Sequence, residues 1–234
     1  MEPQRREPLR GEVAPRPGPP PVEVVAGRLS ALRLRIENAE RDPAHVRIVA
    51  VTKGFDESTP AAALAVGLVD VGENYADELI AKASSERAPE VVTWHMLGSI
   101  QRRKTKALAS VVGCWQTLSR TEEVESLARH APGAQVFVQV ETTGLPGRNG
   151  CDPRSTPGLV ADALRAGLAV RGLMTIGPPD DPEGARRGFE LVASLAQDLG
   201  LEELSMGMSD DLDIALRAGS TMLRVGRGLF GPRT

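Results

Sequence analysis

Aromatic residues are scarce, with four Phe, two Trp and one Tyr among 234 residues. No long basic run is interleaved with those few rings, and the net charge is −3 with a pI near 5.7. Both facts argue against nucleic acid as a partner. Only two cysteines are present, Cys114 and Cys151, outside any CxxC or Cys/His cluster. That excludes a disulfide framework and a cysteine-based metal centre, and both read as reduced thiols. No apolar stretch approaches the roughly 20 residues of a membrane span, and the first residues lack the apolar core of a secretory signal. The expectation is a cytoplasmic protein with no membrane and no metal. A chain of this length buries roughly 70–75% of its unfolded surface, so a single domain is stable without staples.

Residues 1–21 are rich in Pro and Arg, nearly devoid of apolar side chains, and end in Pro19-Pro20-Pro21. Such a segment cannot offset its own ordering entropy, so 1–21 is expected to be a disordered tail and 22–234 the folded domain. Val22, Val25, Leu29, Leu32, Leu34 and Ile36 fall mostly at helical spacing and predict an opening helix. The compact β-branched run over 46–52 then predicts a first strand, with a helix over 57–67 closing at Gly67. Further strands are predicted at 68–71, 91–97, 111–117, 134–140, 169–174, 203–205 and 221–225, which brings the number to eight. Strands alternating with helices imply a parallel sheet, and eight such units predict an α/β fold, a single (β/α)8 TIM-type barrel with an extra N-terminal helix. An open doubly wound sheet ranks second, because no G-x-G-x-x-G fingerprint follows an early strand.

In such barrels the chemistry collects where the strands end. Lys53, Asn74, His95, Arg148 and Arg224 all fall near predicted strand ends and are expected to face one mouth. Val49, Val51 and Lys53 share a strand face, which places the Lys53 amine at the rim of an apolar interior, where a neutral amine able to attack an aldehyde is favoured. Taken alone, Lys53 is more simply a lysine that snorkels to solvent. The segment from Ser205 to Asp211 leads from a strand into a helix, with Ser209 as the expected cap and Gly207 allowing close backbone approach. Together with Gly226-Arg227-Gly228, it forms a candidate phosphate cradle. The plainer alternative is that Ser209 only caps the helix while Asp210, Asp211 and Asp213 complement its dipole. Arg224, on a strand of Met222, Leu223 and Val225, needs a partner, either a pyridine nitrogen or a carboxylate such as Glu73.

Taken together, Lys53, Gly72-Glu73-Asn74-Tyr75, Trp94 to Gln101, Gly172-Leu173-Met174, Ser205 to Ser209 and Arg224-Val225-Gly226 occur in an order that resembles the pyridoxal phosphate homeostasis protein family, over about residues 22 to 232. The resemblance implies a barrel like that of alanine racemase and pyridoxal 5'-phosphate held as a Schiff base on Lys53. It also implies that Asn74 belongs to the cofactor pocket, that Arg224 lies beside the pyridine nitrogen, and that Met208, Ser209, Gly226 and Arg227 form the phosphate loops. Arg103, Arg148 and Arg227 stand where the family often has asparagine, lysine and threonine.

Family knowledge further implies cofactor homeostasis without an established enzyme activity, with enzymes that require pyridoxal phosphate as recipients. A minimal racemase or lyase is the alternative, and a barrel isomerase of sugar phosphates leaves Lys53 and Arg224 without roles. The second domain that supplies a racemase with its opposite-face tyrosine is missing, and Tyr75 is the sole tyrosine. A non-catalytic carrier, expected to be a monomer, therefore ranks above an enzyme. His95 reads as a hydrogen-bonded pocket wall before it reads as a base.

Overall fold

The β-branched run at 47–51 becomes a strand because it is apolar on both sides, and only a sheet covered on both faces can bury it. In the computed structural model, which describes residues 16–233, this strand is β1 (Arg47–Val51). The sheet continues through β2 (Asp70–Glu73), β3 (Thr93–Met96), β4 (Val112–Leu118), β5 (Gln135–Gln139), β6 (Ala169–Met174), β7 (Glu203–Ser205) and β8 (Met222–Val225). Every neighbouring pair is parallel, and β1 pairs with both β2 and β8, so the sheet closes on itself. An open doubly wound sheet would leave two edges, and none remains.

Helices α1 (Val22–Asn38), α2 (Thr59–Ala65), α3 (Ala76–Ala83), α4 (Arg102–Leu108), α5 (Thr121–His130), α6 (Thr156–Arg165), α7 (Pro182–Asp198), α8 (Leu212–Arg217) and α9 (Arg227–Phe230) surround the strands. The extra helix α1 buries Val25, Leu29, Leu32 and Ile36 along one stripe, each such side chain contributing roughly 1.5–3 kcal/mol. It packs beside α2, α8 and α9, and its Arg28 donates to the Leu229 carbonyl at 3.0 Å.

Residues 1–15, most of the segment expected to be disordered, lie outside the described residues. From Arg16 the chain rests on the barrel without helix or strand. Arg16 meets Glu78 at 3.0 Å, and the Asp56 N–H donates to the Pro17 carbonyl at 2.9 Å.

Alternation along the strands divides the apolar side chains into two cores. The larger lies between strands and helices. The smaller fills the lumen with Val49, Cys114, Phe137, Met174 and Met222. Burial pushes the Cys114 thiol up to about 12 and raises that of Cys151, so both free cysteines are inert packing groups. No helix among the described residues is long and apolar enough to cross a membrane.

Candidate functional site at the barrel mouth

Alternation carries the inward face of β1 from Val49 through Val51 to Lys53, and Val51 and Lys53 line a cavity of about 240 Å³ at the C-terminal ends of the strands. Asn74, Met208, Ser209, Arg224, Gly226 and Arg227 line the same cavity. The seven candidate residues, drawn from the ends of four strands, thus surround one hollow. Leu97, Met174 and Ile176 supply its apolar wall. Two further hollows adjoin it, of about 390 and 370 Å³, and Arg148 borders both.

The backbone around Lys53 is clamped from behind. Thr52 points outward, and its hydroxyl donates to Glu73 at 2.5 Å. Lys82 of α3 donates to the Thr52 carbonyl at 2.7 Å, to Glu73 at 2.6 Å and to Glu78 at 2.9 Å. Glu78 also accepts the Gly54 N–H at 2.7 Å. The residues on both sides of Lys53 are therefore fixed by one buried ion cluster, which leaves the side chain to point into the cavity. Burial pushes Glu73 above the ordinary glutamate range against the pull of Lys82 and Thr52.

Gly54 follows Lys53 with φ +77°, and a Cβ there would stand 2.7 Å from the Arg233 side chain. Arg233 therefore packs directly over the turn, where it also lines the cavity. Burial first, then the Arg233 and Arg224 charges, push the Lys53 ammonium below its ordinary value, against the opposing carboxylates Glu73 and Glu78. Desolvation and two neighbouring cations both favour the neutral, nucleophilic amine.

Arg224 sits deepest. Its Nη1 donates to the Ser205 carbonyl at 2.6 Å and to Ser205 Oγ at 2.7 Å, and its Nη2 donates to the Thr175 carbonyl at 2.7 Å. No carboxylate pairs with it among the described residues. The carboxylate partner proposed from sequence, Glu73, is taken by Lys82 and Thr52 on the outer side of the wall. Burial lowers Arg224 to about 10, with Asp211 opposing. A guanidinium has five donors. Those not spent on Ser205 and Thr175 have no protein partner among the described residues, and the side chain lines the cavity.

The two glycine-bearing loops meet each other directly. Ser209 Oγ accepts the Gly228 N–H at 3.2 Å, and Arg227 pairs with Asp210 at 2.5 Å. Ser209 does not cap α8. Asp211 occupies that position, and its carboxylate turns back to accept the Met208 N–H at 2.6 Å, because Gly207, at φ +96°, swings the chain past the expected start. Of the other aspartates, Asp213 stands in the first turn of α8, where it complements the dipole and also pairs with Arg35, while Asp210 pairs with Arg227. The Ser209 and Arg227 backbone N–H groups have no hydrogen-bond partner among the described residues. With the Ser209 hydroxyl and the Arg227 cation, they form a donor set for an anion.

One expected mouth residue needs correction. His95 does not face the mouth. It is fully buried in the barrel, with its ring directed to Asp70 near the N-terminal ends of the strands and to Gln116. Arg148 does lie at the mouth, bordering the two adjoining hollows, and Arg103 lies outside the barrel, in a hollow of about 620 Å³ between α4 and α5. Arg233, Ser205 and Thr175 were not singled out by the sequence. Arg233 follows Gly231-Pro232 and carries no local signal; Thr175 and Ser205 contribute carbonyl oxygens, which any residue has, and Ser205 adds its hydroxyl.

Comparison with known proteins bears on the family and the fold. No family model matches the chain. The pyridoxal phosphate homeostasis protein of Pseudomonas aeruginosa is 36% identical over 220 residues, which is 90% of this chain and 95% of that protein. Its counterpart in Deinococcus radiodurans is 36% identical over 205 residues, covering 86% and 97%. The structure of PipY from Synechococcus elongatus with PLP bound superposes with a TM-score of 0.76 at 30% identity, covering 88% of this chain and all of that one. Alanine racemase from Corynebacterium glutamicum, at 16% identity and a TM-score of 0.71, shares the fold, and 61% of its chain is covered.

Proposed function

Because the chain belongs to the pyridoxal phosphate homeostasis protein family, we propose that it holds pyridoxal 5'-phosphate at the barrel mouth as a Schiff base on Lys53 and acts as an intracellular carrier of that cofactor. The bound cofactor supplies an electrophilic aldehyde, and every other element comes from the protein. Lys53, its ammonium disfavoured by burial and by Arg233, offers a neutral amine. Its nitrogen bonds to the aldehyde carbon, and the carbonyl oxygen departs as water. Met208, Ser209, Gly226 and Arg227 hold the phosphate through the hydroxyl, the free N–H groups and the arginine charge. Asn74 forms the opposite wall.

The observation that carries this reading is Arg224. A buried cation held only by neutral oxygens is costly unless a ligand completes it. A pyridine nitrogen accepts one of its remaining hydrogens, and because guanidinium gives up a proton so reluctantly, the ring stays a weak electron sink. That property suits retention better than carbanion chemistry. Apart from Lys53, the cavity lining contains no tyrosine or histidine. Tyr75 is two-thirds exposed on the adjoining hollow, His95 is buried below, and the one carboxylate in the lining, Asp210, is paired with Arg227, so the described residues offer no free acid on the face opposite Lys53 for a racemase or lyase. A cytoplasmic monomer whose open mouth presents the cofactor to enzymes that require it is the carrier role that follows.

Incubation with pyridoxal phosphate is expected to produce a visible absorbance band, and borohydride reduction should fix the label on the peptide containing Lys53. Lys53→Ala should abolish both. A colourless wild-type protein, or label on another lysine, overturns the reading. An α-proton exchange assay across a panel of amino acids is expected to show no exchange, and exchange above the free-cofactor rate would restore the enzyme alternative.

A further inference from the structure

Arg224 is one end of a longer hydrogen-bond system. Its Nη1 donates to Ser205 Oγ at 2.7 Å, and Ser205 Oγ donates to Gln116 Oε1 at 2.6 Å. Gln116 Nε2 meets His95 Nδ1 at 2.7 Å, and His95 Nε2 meets Asp70 Oδ1 at 2.7 Å. Ser205, Gln116 and His95 are each fully buried, and Asp70 is nearly so. The chain crosses the lumen from β8 through β7, β4 and β3 to β2.

The supply of hydrogens permits one direction. Arg224 can only donate, so Ser205 Oγ accepts from it and sends its single hydrogen to the amide oxygen of Gln116. The amide then presents its NH₂ group to His95, with a second contact to Met222 Sδ at 3.1 Å. His95 Nδ1 is therefore the acceptor, and Nε2 carries the hydrogen that reaches Asp70. Every link donates toward the carboxylate, so a cation and an anion stand at the two ends of three neutral groups. In a low-dielectric interior such links polarise one another. Asp70 suits the terminal role: although burial raises it, hydrogen bonds from His95 and from Arg47, the latter at 2.8 Å, hold its carboxyl below the ordinary range.

We infer that Gln116 and His95 are positioning residues for the cofactor, because with Ser205 they couple Arg224 to Asp70 and so set how strongly the guanidinium draws charge from the ring it faces. The inference rests on the cofactor reading above. A carboxylate placed directly on Arg224 would claim the hydrogens aimed at the cavity. A relay delivers part of the same negative charge and leaves those hydrogens free.

The test reads the visible absorbance of the loaded protein against pH, with unfolding midpoints measured alongside. Gln116→Met and Ser205→Ala cut the relay. Arg224 then bears more of its charge, and the pH midpoint of the absorbance change should fall by on the order of half a unit. Gln116→Glu brings a carboxylate within one link of Arg224 and should move the midpoint up by a similar amount. The other charged groups facing the cavity or Arg224 itself, Lys53, Asp210, Asp211, Arg227 and Arg233, are untouched by these changes.

An unmoved midpoint in both cutting variants, or the same sign of shift in Gln116→Glu and Gln116→Met, overturns the inference. If Gln116→Glu does not fold, the two cutting variants decide alone. Should wild type develop no band, the cofactor reading fails first. The relay is then judged from the ¹⁵N shifts of His95 in the unloaded protein, where hydrogen on Nδ1 instead of Nε2 overturns the stated direction.

Discussion

Two buried cations stand on opposite sides of the barrel wall, and they are satisfied in opposite ways. Lys82, 2% exposed, lies between the wall and α3 with two carboxylates and a carbonyl around it. Arg224, 4% exposed, lies inside, with two carbonyls and a hydroxyl but no carboxylate among the described residues. The first is a closed cluster whose partners already spend its hydrogens, which makes it structural. The second retains donors directed at a cavity, which makes it a site. Burial of a charge does not by itself mark function; what matters is whether the protein has completed it.

Lys82→Met tests this contrast most severely. It leaves Glu73 buried with no cation and Glu78 with Arg16 alone, and a loss of about 3–5 kcal/mol is expected in urea unfolding. Arg224→Met should cost less in the unloaded protein, about 1–3 kcal/mol for the oxygens left without donors, yet it should weaken cofactor retention in equilibrium dialysis far more than any other change outside Lys53. If the two variants ranked the other way in stability, the division between structural and functional cation would fail.

Smaller effects sharpen the comparison. Arg233→Gln removes a cation that helps hold Lys53 below its ordinary value, so the protonated amine is relieved and the Lys53 midpoint rises. The rate of cofactor capture, followed by absorbance, should then need a higher pH to reach its plateau, and an unmoved or lowered profile would show that Arg233 does not act on the amine. Arg16→Ala breaks a pair in which the arginine side chain is 42% exposed. Solvent screening limits the loss to about 0.2–1 kcal/mol, the smallest change anticipated, and added salt should reduce it further.

Much of this was legible beforehand. β-branched runs separated by helical spacing located all eight strands to within a few residues, because a strand covered on both faces has to be apolar along its whole length. Lys53, Asn74 and Arg224 could be placed at the mouth because each ends or follows such a run, but only the resemblance carried by several motifs in order set Lys53 apart from a lysine that snorkels to solvent. The errors share a different cause. Ser209 looked like a helix cap because capping is a local rule, but its hydroxyl is claimed by Gly228, 19 residues further on. His95 shared its position at a strand end with the site residues, yet its ring turns to Asp70 and Gln116.

The sequence by itself determined the alternating strands and helices and the placement of an amine at the end of β1, at the rim of an apolar interior, since all of these follow from side-chain periodicity within a few residues of chain. Only closure of the sheet decided which charges were neutralised. Lys82 meets Glu73 and Glu78 within nine residues of sequence, whereas the link from Ser205 to Gln116 spans 89. Hydrogen bonds across a lumen are chosen by geometry that no local pattern encodes.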